Sequence, residues 1–339
     1  MLDDRKASIL RAVVEEYIHS AQPVGSGHIA AAPGVEVSSA TVRNDMATLE
    51  HEGFLAQPHT SAGRIPTQAG YRYYVDHLAV RGTLDRASAQ QVRAFFDRTH
   101  GELEQMLTDT SRLLSGLTGT AAVVTGPPHE TAVVRSVQIV GLTSRLALLV
   151  VVLSNGAVEK TTIELDGVLD ADGASEADLT RAGAHLQRHL VGRHLDELAA
   201  VLGPDVEPGS TSAVAAIVAA ARASASLDDD HLYVGGTDRM AGAFEAVETV
   251  REVLGLLEQQ LVVVTLLRDV LDRGLQVAIG SETGMAPLAE CALVLAPYEI
   301  EGEPVGTVGV LGPTRMDYAQ ALAAVAVVSK RLGRRLSEG

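Results

Sequence analysis

The first eighty residues combine helical periodicity with two sharp breaks. A first helix is predicted from an apolar face made of Ile9, Leu10, Val13, Val14, Tyr17 and Ile18. Residues 23–26 then break the chain, and Ser26 can cap a short second helix. A third helix is predicted to begin at Ser38 or Ser39, either of which can accept from the first free backbone amides. It ends before Gly53, which supplies a left-handed residue just past the helix.

The third helix has two chemically different faces. The stripe predicted to pack inward consists of Val42, Met46 and Leu49. The opposite face comprises Ala40, Asn44, Ala47, Thr48 and His51, flanked by Thr41 and Arg43. The acids fall closer to the buried side: Asp45, Glu50 and Glu52. Arginine and asparagine match guanine and adenine edges in the DNA major groove, so this face favours base contact, although an ordinary amphipathic surface helix has the same pattern.

Two short strand candidates follow, at residues 54–57 and 64–66, around a polar turn. The turn is rich in hydroxyl groups and ends at Gly63, which can adopt a positive φ. A loop of small donors tipped by Arg64 suits contact with phosphates or the minor groove, whereas alone it would be read as a solvated hairpin. Three helices followed by a hairpin form a winged helix-turn-helix, which favours double-stranded DNA as the ligand. The predicted DNA-binding residues are Ser39, Thr41, Arg43, Asn44, Thr48, His59, Thr60, Ser61 and Arg64.

Along the rest of the chain, the predicted secondary structure changes from helix to strand and back to helix. Thr67 can cap a further helix, and residues 87–117 are polar and helical. From residue 121, β-branched segments separated by turn signals predict strands, with Asn155-Gly156 as a hairpin mark. Residues 166–230 read as helical, and strand character then returns before a closing helix. This order predicts a sheet domain split by an insertion, although two consecutive domains would give the same order of helices and strands.

Composition limits the kinds of ligand and site. The net charge is −16 and the isoelectric point about 5.1, with most of the acidic excess after residue 80. The predicted DNA-binding segment is not basic either, so specificity must come from a few placed groups rather than from a charged surface. A single cysteine, Cys291, excludes an internal disulfide and fits a reducing cytoplasm. No signal peptide opens the chain, and no apolar run is long enough to span a membrane.

Three further patterns are weighed as chemical sites. His185 and His189 lie one helical turn apart, a spacing that can hold zinc, but no third ligand is evident and a solvated helix face is favoured. The acidic run 228–231 is read as a solvated loop. The glycines Gly306, Gly309 and Gly312 lack the helix start of a dinucleotide site and are attributed to bulges or close packing. We expect no metal, no cofactor and no enzymatic activity.

Four segments together resemble the HrcA family of bacterial repressors. They are TVRNDMATLE (41–50), QPHTSAGRIPT (57–67), GYRYYVD (70–76) and GTVGVLGPTRMDY (306–318). Departures from the family pattern are mild: Phe54, Ala56, Tyr73 and Thr283. The resemblance implies an α+β multidomain protein, with a winged helix-turn-helix followed by a GAF-like α/β domain that a largely helical dimerising insertion interrupts. The implied bounds are 1–80 for the winged-helix DNA-binding domain, 81–118 for a helical connector, 119–165 and 245–339 for the GAF-like domain, and 166–244 for the insertion.

The resemblance also implies a function. A member of this family is a cytoplasmic homodimer that represses chaperone operons by binding the CIRCE inverted repeat and is released on heat stress. The GroEL-type chaperonin is the implied partner that keeps the repressor active, and melting of the repressor itself is the other way in which heat can act. The alternative function is a winged-helix regulator gated by a small ligand in its GAF-like domain.

Overall fold

The chain folds as a mixture of helices and antiparallel sheets, compatible with the α+β class expected from the sequence. The computed structural model describes residues 2–59, 62–79, 83–98, 102–127, 132–143, 145–154, 157–165, 175–194, 212–224, 232–244, 246–274, 276–300 and 302–338. They form two compact units. The first comprises Met1–Thr99, Leu107–Thr125 and Leu232–Gly339, and the second comprises His100–Met106 and Gly126–His231.

Three helices open the first unit, as the sequence predicts, although Ser26 is the first residue of the second helix and not its cap. They are α1 (Asp4–Ser20), α2 (Ser26–Ile29) and α3 (Ser39–His51). Ser38 is the residue that caps α3, because its hydroxyl accepts from the backbone amide of Thr41 at 3.2 Å, and Gly53 lies beyond the other end with φ of 83°. The predicted inward stripe is confirmed: Val42 and Leu49 are fully buried and Met46 nearly so. They pack in the core that α1 supplies through Ile9, Leu10, Val13 and Val14.

A two-stranded antiparallel sheet and a further helix follow. The strands are shorter than predicted, β1 (Leu55–Ala56) and β2 (Ile65–Pro66), and they pair in the register Leu55 with Pro66 and Ala56 with Ile65. The helix predicted from Thr67 is present as α4 (Gln68–Tyr73), and it continues as a single π-helical segment at Tyr74–Leu78. Thr67 caps α4 by accepting from the amide of Gly70 at 3.1 Å.

The main sheet of the first unit consists of five antiparallel strands, β3 (Ala121–Thr125), β7 (Leu232–Gly235), β8 (Val277–Ile279), β9 (Cys291–Ile300) and β10 (Glu303–Pro313). Their order across the sheet is β7-β3-β10-β9-β8. The helices of this part are α5 (Arg86–Arg98), α6 (Leu103–Thr118, whose first residues belong to the second unit), α9 (Thr237–Ala243), α10 (Val247–Leu257), α11 (Gln260–Asp272) and α12 (Tyr318–Glu338). One apolar core joins the sheet to α10 and α11.

The N-terminal helices are joined to this sheet through α4 and the loop after β8. The Arg72 guanidinium lies against both oxygens of Glu282 and donates to the Val277 carbonyl at 2.7 Å. Gln68 accepts from the amide and the hydroxyl of Ser281 at 3.2 and 2.9 Å. Through these contacts the Gly280–Thr283 turn helps to join the N-terminal helices to the sheet.

The second unit has its own sheet and its own core. The strands β4 (Val134–Gly141), β5 (Leu146–Leu153) and β6 (Val158–Glu164) form an antiparallel sheet in chain order, and α7 (Glu176–Leu190) and α8 (Ser212–Ser224) pack on it. The pairing of Val152 with Val158 shows the predicted hairpin, although its turn residues Asn155 and Gly156 lie outside the described residues, as does the acidic run 228–231.

This partition differs from the domain bounds expected from the sequence. Residues 119–165 were assigned to the first segment of the split sheet and residues 166–244 to the insertion. In the structure β3 ends at Thr125 and the next strand of its sheet in chain order is β7, so the interruption begins before β4 and ends before Leu232. Strand-forming residues mark a segment as β but carry no information about which sheet it joins, so the sequence could not show that β4, β5 and β6 pair in a sheet without β3.

The single cysteine and the histidine pair also lie among the described residues. Cys291 is fully buried, and burial raises the pKa of its thiol to about 12, which leaves too little thiolate for nucleophilic chemistry. The His185 and His189 rings are in contact, with centroids 4.4 Å apart and planes tilted by 47°, and no group of three or more metal-ligating side chains occurs among the described residues. Within that same part of the chain, no helix combines the length and apolar character that crossing a membrane requires.

Candidate nucleic-acid interface

The outward face of α3 is exposed, as predicted. Arg43 and Asn44 are exposed side by side, and Ser39 is exposed at the start of the helix. Thr41 and Thr48 are half-buried at the edges of this face. Fully buried Val42 and Leu49 fix α3 in the core, so the exposed side chains project from a helix that is held in place. The arrangement can present a guanidinium and an amide together to a partner.

Several hydroxyl groups of this surface already have partners. The Thr41 hydroxyl lies 3.0 Å from that of Ser38, and Ser39 lies 3.3 Å from Ser26 across the α2–α3 turn. Thr48 donates its hydroxyl proton to the Asn44 carbonyl at 3.1 Å, so this hydroxyl is left to act as an acceptor. The predicted threonines therefore help to order α3, and Arg43 and Asn44 are the side chains best placed to read a ligand.

The acidic residues of α3 are neutralised by arginines from outside the helix. Asp45 is buried and receives a forked contact from Arg5, with Nε at 2.8 Å and Nη2 at 3.2 Å from its two oxygens. Glu50 pairs with Arg64 at 2.8 Å. The sequence placed both acids toward the buried side but missed both arginine partners, since spacing along a helix cannot show what packs against it.

The hairpin residues are distributed differently from the prediction. His59 is exposed, whereas Thr60 and Ser61 lie outside the described residues. Arg64 was expected at the tip of the loop, but it lies at the base, where its backbone exchanges two hydrogen bonds of 2.9 Å with Val24. Its side chain is only 19% exposed and points to Glu50, so in the free protein it is not presented to solvent as a loop-tip arginine would be.

Gly63 is required for close packing and not for a positive φ. Its φ lies outside the left-handed region, contrary to the expectation, and a Cβ built on it would lie 2.3 Å from the Val24 carbonyl oxygen. The hairpin thus approaches the turn before α2 so closely that only a hydrogen fits between them. This contact fixes the position of the hairpin relative to α3.

Gly63→Ala is therefore expected to destabilise the N-terminal part by about 1–2 kcal/mol, the usual effect of overpacking, as the hairpin is forced away from Val24. Gly25→Ala is the matched control, because a Cβ on Gly25 meets nothing within 4 Å, and its effect should stay within about 0.5 kcal/mol. Urea unfolding followed by circular dichroism measures both. Equal stabilities of the two variants would show that the hairpin is free to move at no cost.

A cleft of about 460 Å³ lies between α3, the turn before α2 and the hairpin. It is lined by Val24, Gly25, Ser26, Arg43, Met46, Gln57, Ala62, Gly63 and Arg64. The cleft therefore brings together two of the predicted DNA-binding residues, Arg43 and Arg64, and both are cationic. A site with two guanidinium groups and no carboxylate among its lining residues is suited to an anion.

Comparison with known proteins gives a consistent result over the full chain. The family described as HrcA protein C terminal domain matches residues 104–322. A protein of Symbiobacterium thermophilum named heat-inducible transcription repressor HrcA is 36% identical over 98% of this chain and 98% of its own length. Proteins of the same name from Acidothermus cellulolyticus and Pseudarthrobacter chlorophenolicus are 37% and 38% identical, over 100% and 98% of this chain and 100% and 99% of their own lengths.

A solved structure shares the fold. The crystal structure of a hypothetical protein at 2.2 Å resolution superposes with a TM-score of 0.68, at 22% identity, over 100% of this chain and 99% of the other. At this identity the likeness shows a shared fold and says nothing about activity.

Proposed function

The chain belongs to the HrcA family, and from that premise we propose that it is a heat-inducible transcription repressor that binds operator DNA through α3 and the β1–β2 hairpin. In this proposal the N-terminal helices and hairpin act as a winged helix-turn-helix. The curated relatives carry the name of a transcription repressor and not of an enzyme, in agreement with the lack of a catalytic constellation in the sequence.

The observation that carries the proposal is the exposed pair Arg43 and Asn44 on a helix whose acids are neutralised. An exposed carboxylate beside them would repel the DNA phosphates. Asp45, which lies next to Asn44, is instead buried and engaged by Arg5, so the cost of bringing α3 to DNA is reduced although the chain as a whole is acidic. Arginine can then contact guanine and asparagine can contact adenine in the major groove.

The finer proposal follows the family resemblance. Two copies of the chain bind the two halves of the CIRCE inverted repeat and block initiation at chaperone operons, because a two-fold dimer matches a palindromic site. We assign dimerisation to the second compact unit and the GAF-like role to the five-stranded sheet. A GroEL-type chaperonin would keep the repressor active until misfolded proteins occupy it during heat stress.

The proposal is tested by fluorescence anisotropy of a labelled CIRCE duplex beside a scrambled duplex, at several salt concentrations, with and without chaperonin. We expect the CIRCE duplex to bind at least about 1,000-fold more tightly, the lower end of the range for specific DNA-binding proteins. Chaperonin should raise the fraction of active repressor without changing the affinity of that fraction. Equal and weak binding of the two duplexes would exclude CIRCE as the operator.

A further inference from the structure

Arg64 and Glu50 form an ion pair beside the cleft between α3 and the hairpin. The Arg64 Nη2 atom lies 2.8 Å from a Glu50 oxygen, and the two side chains are 19% and 34% exposed. The backbone of Arg64 is fixed by its two hydrogen bonds to Val24, so the guanidinium moves only by rotation of its own side chain. Glu50, in the last turn of α3, is the one carboxylate that contacts Arg64 among the described residues.

This pairing leaves the arginine incompletely satisfied. The contact with Glu50 uses one nitrogen, while the Arg64 Nε is buried without a hydrogen-bond partner among the described residues. A buried donor without a partner is costly, and a guanidinium gains most from an anion that accepts two parallel hydrogen bonds. A phosphate offers such a pair of oxygens. The single contact of Glu50 is therefore one that a phosphate can replace.

The cleft supplies the other requirements of a phosphate site. Its volume of about 460 Å³ holds one phosphate group and several waters, at about 30 Å³ per water in the liquid. Arg43 lines the same cleft, is exposed, and has no ion-pair partner in the described part of the chain. Two guanidinium groups can thus face one anion, with Glu50 contacting one of them from α3.

We propose that this cleft binds one phosphate of the DNA backbone through the Arg64 guanidinium, beside Arg43, whose charge attracts the phosphate while its donors remain available to a base, and that Glu50 is a competing anion that occupies Arg64 until DNA arrives. The proposal rests on the DNA-binding function above and adds to it the residue that limits affinity. Every duplex must displace Glu50 before it gains this contact, whatever its base sequence. The displacement lowers operator and non-operator affinity alike, and base discrimination is left to the exposed face of α3.

The test compares Glu50→Gln with Glu52→Gln in the full-length protein. The two substitutions remove the same charge from the same end of α3, but Glu52 lies 3.9 Å from Lys6 and makes no ion pair with Arg64. In anisotropy titrations, Glu50→Gln should bind the CIRCE duplex and the scrambled duplex about 2- to 5-fold more tightly than Glu52→Gln, the range that partly exposed ion pairs contribute. When Arg64→Ala is also present, Glu50→Gln should give no gain. Arg64→Ala alone should reduce the slope of log affinity against log salt concentration by about 0.9, the value for one lost phosphate contact.

The opposite result identifies a different role for the pair. If Glu50 only braces the hairpin against α3, then Glu50→Gln weakens binding relative to Glu52→Gln, and the competition is disproved. Equal affinities of the two variants disprove it as well. Urea unfolding of each variant is recorded beside the titrations, so that a loss of binding through unfolding is recognised.

A second measurement separates this site from the operator function. The ¹H–¹⁵N signal of the Arg64 Nε, identified by its loss in Arg64→Ala, is followed during titration with inorganic phosphate at constant ionic strength. A saturable shift is expected, at lower phosphate concentration in Glu50→Gln than in the wild type. The absence of any shift overturns the cleft as a phosphate site. If the signal shifts but the protein binds neither duplex, the cleft is an anion site and its ligand is not a phosphate of DNA.

Discussion

Replacing Arg43 with alanine is expected to weaken binding of the operator by roughly 5- to 150-fold, and Asn44→Ala should have a similar effect. Each bidentate contact between such a side chain and a base edge contributes about 1–3 kcal/mol of discrimination. Both residues are exposed on the face of α3 opposite its buried stripe, so neither substitution removes a core contact. The loss should therefore come from binding and not from folding.

The matched control is Arg11→Ala, which removes one positive charge from an exposed position on α1. Operators altered at single base pairs are titrated against all three variants by anisotropy. Arg43→Ala should lose its preference at one guanine and Asn44→Ala at one adenine, whereas Arg11→Ala should keep the full base preference of the wild type. Unchanged operator affinity in both α3 variants would show that a different surface reads the DNA.

The parts of this interface that the sequence predicted are those determined by local spacing. The inward stripe of Val42, Met46 and Leu49 and the exposed pair Arg43 and Asn44 follow from helical periodicity alone. Placement of the cap was ambiguous between two adjacent serines, because both carry the same hydroxyl group, and the structure selects Ser38.

The parts that it missed depend on residues distant along the chain. The contact of Arg5 with Asp45 joins positions 40 residues apart, and that of Arg72 with Glu282 joins positions 210 apart. Gly63 was interpreted through its backbone freedom, although it is needed because Val24 lies against it. The segments of β4, β5 and β6 are predicted as strands, but the sheet that they form is decided by tertiary contacts, which local spacing does not show.

The contact between Arg72 and Glu282 connects the predicted DNA-binding part to the five-stranded sheet. Arg72 lies on α4, directly after the hairpin, and Glu282 lies in the turn after β8, where it also accepts from the Ile279 amide at 2.9 Å. The two side chains are 24% and 25% exposed. Tyr71, on the same helix, packs against Tyr318 of α12 with ring centroids 5.9 Å apart. The N-terminal helices are thus attached by both a charged and an aromatic contact.

Arg72→Ala is expected to destabilise the first unit by about 2–3 kcal/mol. Breaking a buried ion pair from one side costs about 3–5 kcal/mol, and the value is reduced here because both groups are about one quarter exposed. The Val277 carbonyl also loses its donor. For a unit of this size the midpoint of thermal unfolding should fall by roughly 4–12 °C. Asp76→Asn is the control, since Asp76 pairs with the same arginine at 3.0 Å but is 44% exposed, and it should change the midpoint little.

Operator binding followed against temperature connects this junction with the heat response. If the repressor is inactivated by its own melting, Arg72→Ala should release the CIRCE duplex at a temperature lowered by the same interval as its unfolding midpoint, with Asp76→Asn releasing it where the wild type does. In that case α3 and the hairpin hold DNA only while α4 keeps them attached to the sheet. Release at an unchanged temperature, despite a lowered midpoint, would separate DNA binding from this junction and favour the chaperonin as the element that responds to heat.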